Sequence, residues 1–374
     1  MEKKNGVKAS SSNFGKMGWF LIIYMALTFF LTGMGGSVLN ITSGMFEGMY
    51  GWNPAFVISL SSIGGWVGTA VIFIMGLIMN KGKVNIRLTI LICGIAVGIS
   101  YMIQGNTGSL AIFSIAYILF YALYTLWAQL ANQALINNWF PRKKGIAIGW
   151  ATMGFPLAPS LGLVLFANSI GKIGLNYTYI VLGAATLIVG VIGAMAFKEF
   201  PEKHGLFPDN DRSMTREMAN KELEEGKMLV ANSPWTLKRL LATKEVWMVF
   251  IPAGFVGFFG AGSISQVVPR LLSAGYTPDA ATGMIAACAL FAVPGSFLIG
   301  FIDSKLGTKK AFVLTIILSA IGSILYALCT PVTIWPALII IGIALGGSSN
   351  FAMSFTTSYF GRYHFQKAFG VTLT

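Results

Sequence analysis

The chain has 374 residues, 55% of them hydrophobic and only 10% charged, with 26 Lys and Arg against 13 Asp and Glu and a net charge of +13. A water-soluble domain of this length carries roughly a quarter charged residues, so a soluble globular fold is excluded. Cys93, Cys288 and Cys329 are isolated, odd in number and without ligand spacing, which argues against a disulfide framework and against a metal site.

Met1 to Lys16 is polar, and the apolar run from Trp19 to Leu39 is too long for a cleavable signal core and lacks a cleavage-like end. Apolar stretches of about 20 residues, enough to cross a hydrocarbon core at 1.5 Å per residue, then recur to the end of the chain. They predict ten transmembrane helices near residues 19–41, 54–79, 87–105, 110–136, 145–170, 176–197, 245–269, 279–302, 310–329 and 333–359. Barrel strands would run about ten residues with alternating polarity, and these stretches do neither. The expected fold is therefore an all-α, polytopic membrane protein. Clusters such as Tyr50-Gly-Trp-Asn-Pro54 and Gln104-Gly-Asn-Thr-Gly108 mark turns, and the long polar segment is Glu199 to Thr243. Its charge-rich part, Met214 to Lys227, has helical composition and is expected at the membrane surface.

The positive charge follows the loops. Lys3, Lys4, Lys8 and Lys16 precede the first helix; Lys81, Lys83 and Arg87 follow the second; Arg142, Lys143 and Lys144 follow the fourth; the linker and its flanks hold Lys198 through Lys244. Lys305, Lys309 and Lys310 follow the eighth helix, and Arg362 and Lys367 the tenth, which leaves Lys172 and Arg270 alone at the other side. By the positive-inside rule the N-terminus is cytoplasmic, in a multi-pass protein of the cell (plasma) membrane. The basic balance is thus a topology signal, and nucleic acid is not expected as a partner because no Lys/Arg-rich domain lies outside the bilayer.

Two gaps repeat. Gly76-Leu-Ile-Met-Asn80 with Lys81-Gly-Lys83 stands opposite Gly300-Phe-Ile-Asp303 with its run to Lys310, at an offset near 224. Trp139-Phe-Pro-Arg142, ending in Gly149, stands opposite Tyr359-Phe-Gly-Arg362, ending in Gly370, at an offset near 220. Shared offset and shared ordinal position support two six-helix repeats with a solute site between them. The expected division is 1–198 for a first six-helix bundle, 199–243 for a cytoplasmic linker and 244–374 for a second bundle of four helices. Tyr363 to Thr374 is too short for a helix of its own, although Phe365 to Gly370 resembles the start of an eleventh. The chain is therefore expected to be truncated, with ten of twelve helices.

These segments resemble the major facilitator superfamily. Gly300-x-x-x-Asp303-x-x-Gly307-x-Lys309-Lys310 matches the loop motif of that family after the eighth helix, whereas its counterpart after the second is eroded, with Asn80 at the acidic position and Lys81 in a shortened basic turn. Gly15-Lys-Met-Gly-Trp-Phe20 and Arg142-Lys-Lys-Gly-Ile-Ala-Ile-Gly149 look like the monocarboxylate and oxalate/formate exchanger branch. The resemblance implies a rocking-bundle secondary transporter, without enzymatic activity and without cofactor or metal, acting as a monomer in the lipid bilayer on a small organic solute such as an organic anion. It also implies a conformational latch built from Gly76, Asn80, Lys81, Gly300, Asp303, Gly307, Lys309, Lys310, Arg142 and Arg362. Asp303 lies at a helix C-terminal end, where an anion needs compensation, and Lys305, Lys309 and Lys310 are the expected cations. The bland alternative is an anchoring loop of solvated charge.

Polar residues at membrane depth mark candidates for the pathway. On the fourth helix Tyr117, Tyr121 and Tyr124 share one face, Asn132 lies about 60° from Tyr117 at 3.6 residues per turn, and Gln129 and Gln133 lie further round. Such a stripe suits an oxygen-bearing organic solute, or else ordinary interhelical packing. Asn40, Gln266 and Asn350 can contact solute or tie two helices together. Arg270 can take a carboxylate bidentately or snorkel to the outer headgroups. The branch that these segments resemble carries an arginine within the eighth helix, but no basic residue occurs from Thr277 through Ile302, which weakens a small-dicarboxylate reading and leaves room for a larger or neutral amphipathic solute. Glu47, Asp279, His204 and His364 all sit near helix ends or in the linker, so exchange or facilitated diffusion follows more naturally than proton symport. Gly145, Gly149, Gly154, Pro156, Pro159 and Gly162 give the fifth helix small faces and bending points. An ATP-driven pump is disfavoured by the lack of a Gly-rich loop ending in Lys-Ser/Thr; a channel or receptor is the competing class.

Overall fold

The computed structural model describes residues 13–79 and 85–372, with side chains at all of these except residues 77, 79, 253, 257–266, 278, 279, 366 and 367. The first helices are α1, Gly15–Tyr50; α2, Pro54–Met79; α3, Ile86–Asn106; and α4, Leu110–Trp139. Lys144–Ala196 forms a continuous helical stretch of 53 residues, which would rise about 80 Å against a hydrocarbon core of about 30 Å. Gly174, at φ 81° and ψ 166°, resolves that excess: this left-handed backbone breaks the stretch into α5, residues 144–173, and α6, residues 175–196. The break falls in the gap expected between residues 170 and 176.

After α6 two short helical turns, Pro201–His204 and Pro208–Asn210, lead to α7, Arg216–Ala231, and α8, Leu237–Ala242. The Thr215 hydroxyl accepts from the Met218 backbone N–H at 3.2 Å and caps α7. The later helices are α9, Lys244–Ser273; α10, Pro278–Leu306; α11, Thr308–Leu328; α12, residues 334–360 with a turn at Ser349 and Asn350; and α13, residues 362–372. Gly361, at φ 69°, separates the last two. Eight stretches of the described residues are long and apolar enough to cross a membrane.

Two expectations are corrected. The first helix is longer than 19–41 because the flanking Gly15 to Gly18 and Ile41 to Tyr50 hold no proline, and packing through Gly18 and Phe46 outweighs the low helix propensity of their glycines. The residues after Arg362, expected to be too short for a helix, form α13, because tertiary packing on α2 supplies what eleven isolated residues lack.

Close approach through small residues holds the bundle. A Cβ on Gly94 would fall 2.6 Å from Gly190 Cα, so α3 and α6 touch backbone to backbone, and Gly98 repeats the contact at Gly183. Large apolar side chains face outward, with Trp66 78% and Met195 74% exposed, as lipid solvation requires. Thr28, Thr32, Ser37 and Thr42 on α1 each donate a hydroxyl to a carbonyl four residues back, which satisfies them at membrane depth.

Candidate functional site

The first six helices and the later ones meet most tightly at the end that carries the linker. There α5 lies on α10, where Gly145 and Gly149 face Gly300 so closely that a Cβ on Gly149 would fall 3.2 Å from Gly300 Cα. A second contact mirrors it: a Cβ on Gly370 of α13 would fall 2.6 Å from Gly76 Cα on α2. The glycines that repeat in sequence thus pair crosswise, Gly300 with Gly149 and Gly370 with Gly76, as a two-fold relation between the groups requires.

Polar contacts reinforce this seal. Asp303 is 5% exposed and accepts from the Thr308 and Ser354 hydroxyls at 2.7 and 2.6 Å. Its other neighbour is the N-terminus of α5, where Ser304 Oγ accepts the Ile146 N–H at 2.7 Å. The compensation expected from Lys305, Lys309 and Lys310 is therefore supplied by hydroxyls, by the positive end of a helix dipole from the other group and by the charge of Lys144. Lys305 lies over the Phe301 ring at 4.5 Å, while Lys309 and Lys310 are exposed. Gly307, at φ 88°, makes the tight turn. Lys144 reaches across instead, and its Nζ donates to the Ser354 carbonyl at 2.9 Å and to Ser358 Oγ at 2.7 Å.

The linker closes over the same end. Arg362 donates to Glu202 through both terminal nitrogens, at 2.8 and 3.0 Å, with the two side chains 5% and 1% exposed. Asn137 holds the Arg362 carbonyl at 2.8 Å. Arg142 approaches Asp211 at 3.4 Å, and the backbone N–H groups of Arg142 and Lys143 donate to Asp209. Burial pushes the Asp209 carboxyl above its ordinary value, against those N–H bonds and the two cations, which pull it down. His204 is held below its ordinary value, first by burial and then by Lys198 and Arg87, and its neutral Nε2 accepts the Lys198 N–H at 2.9 Å.

Away from the linker end the two groups diverge around a cavity of about 640 Å³. Thr32, Ser37, Asn40, Tyr121, Tyr124, Phe155, Pro156 and Pro159 line it from the first group, and Val256, Cys288, Ala292, Leu345, Ser348 and Ser349 from the second. Directly beneath, Thr152 donates to Asn350 Oδ1 at 2.7 Å, and Asn350 Nδ2 donates to the Ser296 carbonyl at 3.1 Å, so one amide ties α5, α12 and α10.

The tyrosine stripe is split. Tyr121 and Tyr124 face the cavity, but Tyr117 is buried and donates to the Gly35 carbonyl at 3.1 Å. Residues 125–131 of α4 are wound as a π-helix, whose wider turns shift the phase that a regular α-helix would keep. Asn132 consequently points into the first group, where it accepts from Tyr24 at 3.3 Å, and Tyr24 in turn accepts from Trp127 Nε1 at 2.8 Å. Gln129 accepts from Gln133 at 2.8 Å outside the cavity lining. Arg270 turns to α11 and donates to the Ala327 carbonyl at 2.9 Å, a helix C-terminal contact. Asn40 lines the cavity; Asn80, Lys81 and the Gln266 side chain lie outside the described residues.

Glu202, Asp209, Thr152, Ser354 and the serines at 348 and 349 were not singled out by sequence, and only the turn-rich Gly346-Gly-Ser-Ser-Asn350 run signalled the last two.

Comparison with known proteins places this geometry. The chain is 21% identical over 373 residues to an uncharacterized MFS-type transporter, YhjX, of Escherichia coli K12, a match that covers 96% of this chain and 85% of the relative. It is 24% identical over 203 residues to the oxalate:formate antiporter of Oxalobacter formigenes, across 51% of this chain and 42% of that one. The solved proton:xylose symporter XylE bound to 6-bromo-6-deoxy-D-glucose has the same fold, with a TM-score of 0.74 at 14% identity over 95% of this chain and 85% of that one. These matches are transporters, in keeping with a non-enzymatic role. The family model of the Major Facilitator Superfamily matches residues 25–374, and the chain belongs to that superfamily.

Proposed function

We propose that this protein is a secondary carrier of the cell membrane that moves a small organic acid by rocking two groups of helices, 1–198 and 244–374, about the central cavity, with 199–243 as the clasp between them. The observation that carries the reading is the cavity itself: it lies between the two groups, sealed at one end by the crosswise glycine pairs and open towards the other. The seal then reads as the closed gate of one state, in which Gly76, Asp303, Gly300 and Arg362 act by biasing populations and leave the cargo untouched. The similarity of half the chain to an oxalate:formate antiporter supports a carboxylate cargo. In this reading the linker end is cytoplasmic and the protein works as a monomer.

Counterflow in proteoliposomes tests it. Vesicles preloaded with unlabelled cargo should accumulate labelled cargo transiently and saturably, across a panel of mono- and dicarboxylates, sugars and bile-acid-like amphiphiles. Flux that is linear in concentration and shows no overshoot would mean a channel.

A further inference from the structure

The cavity walls carry polarity without charge. From Met17 to Phe46, Leu88 to Pro141, Gly145 to Gly171, Val246 to Pro269, Ala280 to Ile302 and Ala311 to Gly361 the sequence has no Lys, Arg, Asp, Glu or His. Every described residue that lines the cavity comes from those stretches. Arg270, the cation best placed by sequence to meet an acid, is engaged with the end of α11.

The hydrogen-bonding sense of the walls is equally one-sided. Thr32 spends its hydroxyl hydrogen on the Thr28 carbonyl at 2.8 Å, Ser37 on Gly33 at 3.0 Å, Ser348 on Leu345 at 2.7 Å and Ser349 on Gly346 at 3.3 Å. What these four offer a solute is oxygen lone pairs. Among the described residues the other donors on the walls are the Tyr121 and Tyr124 hydroxyls and the Asn40 amide, and the Tyr121 hydroxyl is already shared with Tyr117. A carboxylate needs several donors or a cation, and without them its burial is costly; a carboxylic acid brings its own O–H to an acceptor oxygen.

We infer that the cavity binds its cargo uncharged, as the undissociated carboxylic acid, so that the proton crosses on the cargo and no side chain of the cavity has to titrate. This rests on the organic-acid carrier reading above. The carboxylate takes up one proton in the medium, binds and is released as the neutral acid, and the acid dissociates on the far side, which moves one anion and one proton together with no net charge. The lack of any ionisable acid or histidine at mid-depth of these helices then ceases to be a difficulty for proton-linked transport.

The test is equilibrium binding of labelled phenylacetic acid to the purified protein between pH 5 and pH 8, with 2-phenylethanol as an uncharged competitor. The Kd in total acid should rise about tenfold per pH unit once the pH exceeds the acid's own pKa, while the alcohol competes equally at every pH. Tyr124→Phe should weaken both by about fivefold, the loss of one hydrogen bond. Binding of the acid that stays constant from pH 5 to pH 8 overturns the inference and leaves the carrier reading standing. Binding of the alcohol with none of the acid at any pH overturns it together with the carboxylate as cargo, and binding of neither, with no counterflow for any acid, overturns both readings.

Discussion

Arg362 brings a guanidinium into a setting that is 8% exposed, and its compensation comes from a linker residue 160 positions earlier. Two parallel hydrogen bonds match the planar fork of the arginine to the Glu202 carboxylate, a geometry that a lysine could not reproduce. The pair stabilises the closed linker end chiefly by what its loss would leave behind. Glu202→Gln removes the anion and strands a buried cation, which costs about 3–5 kcal/mol. The expected outcome is a clearly lowered melting temperature in detergent, with Arg362→Lys intermediate. An unchanged melt in Glu202→Gln would mean that the pair contributes nothing to closure. Arg362 was legible in sequence as a basic gap residue because its position repeats that of Arg142. Glu202 was not, since an acid within a polar segment gives no sign of its partner until the chain has folded.

At the scale of helices, the apolar runs and Gly/Pro punctuation mark an all-α membrane protein, and eight stretches of the described residues are long and apolar enough to cross a bilayer where ten spans were expected. Phase within a helix was harder to read. The π turns at residues 125–131 arise where Thr125 donates back to the Ala122 carbonyl, and nothing in the local pattern announces them. Those at Ala158–Gly162 follow from Pro156 and Pro159, which remove two backbone donors. The α5 and α10 contact depends on the absence of side chains: a Cβ on Gly300 would meet the Gly145 carbonyl oxygen and lie 2.9 Å from Gly149 Cα. Gly300→Leu should hold the two helices apart and keep the linker end from closing. Ser296, fully buried in the seal, reports on this. Ser296→Cys in the Gly300→Leu background should react with a maleimide at least about tenfold faster than in the wild-type background, the sign of a population shift towards the open gate. Equal protection in both backgrounds, with the helical content intact, would show that the glycine contact does not set the gate.

For the whole molecule, charge and packing divide the ends in the same way. The N-terminal residues from Asn13, the turns at Arg142 and Gly307, the linker and Arg362 all gather at the sealed end, joined by contacts such as Lys143 Nζ with the Asn13 carbonyl at 2.6 Å. Among the described Lys and Arg residues, only Lys172 and Arg270 belong to the other end. Because translocating basic loops against the membrane potential is unfavourable, the proposed function puts the sealed end in the cytoplasm, with the cavity facing outward, and this orientation is a prediction to be tested. Lys309, in the first turn of α11 at the sealed end, and Ser59, in the second turn of α2 away from it, are both exposed and can serve as reporters. With a membrane-impermeant maleimide, Ser59→Cys should label in intact cells, whereas Lys309→Cys should label only in inside-out vesicles. The opposite pattern would invert the topology and make the sealed gate the outer one. The cargo would then be drawn from the cytoplasmic side, and the flux measured by counterflow would have to be read as export.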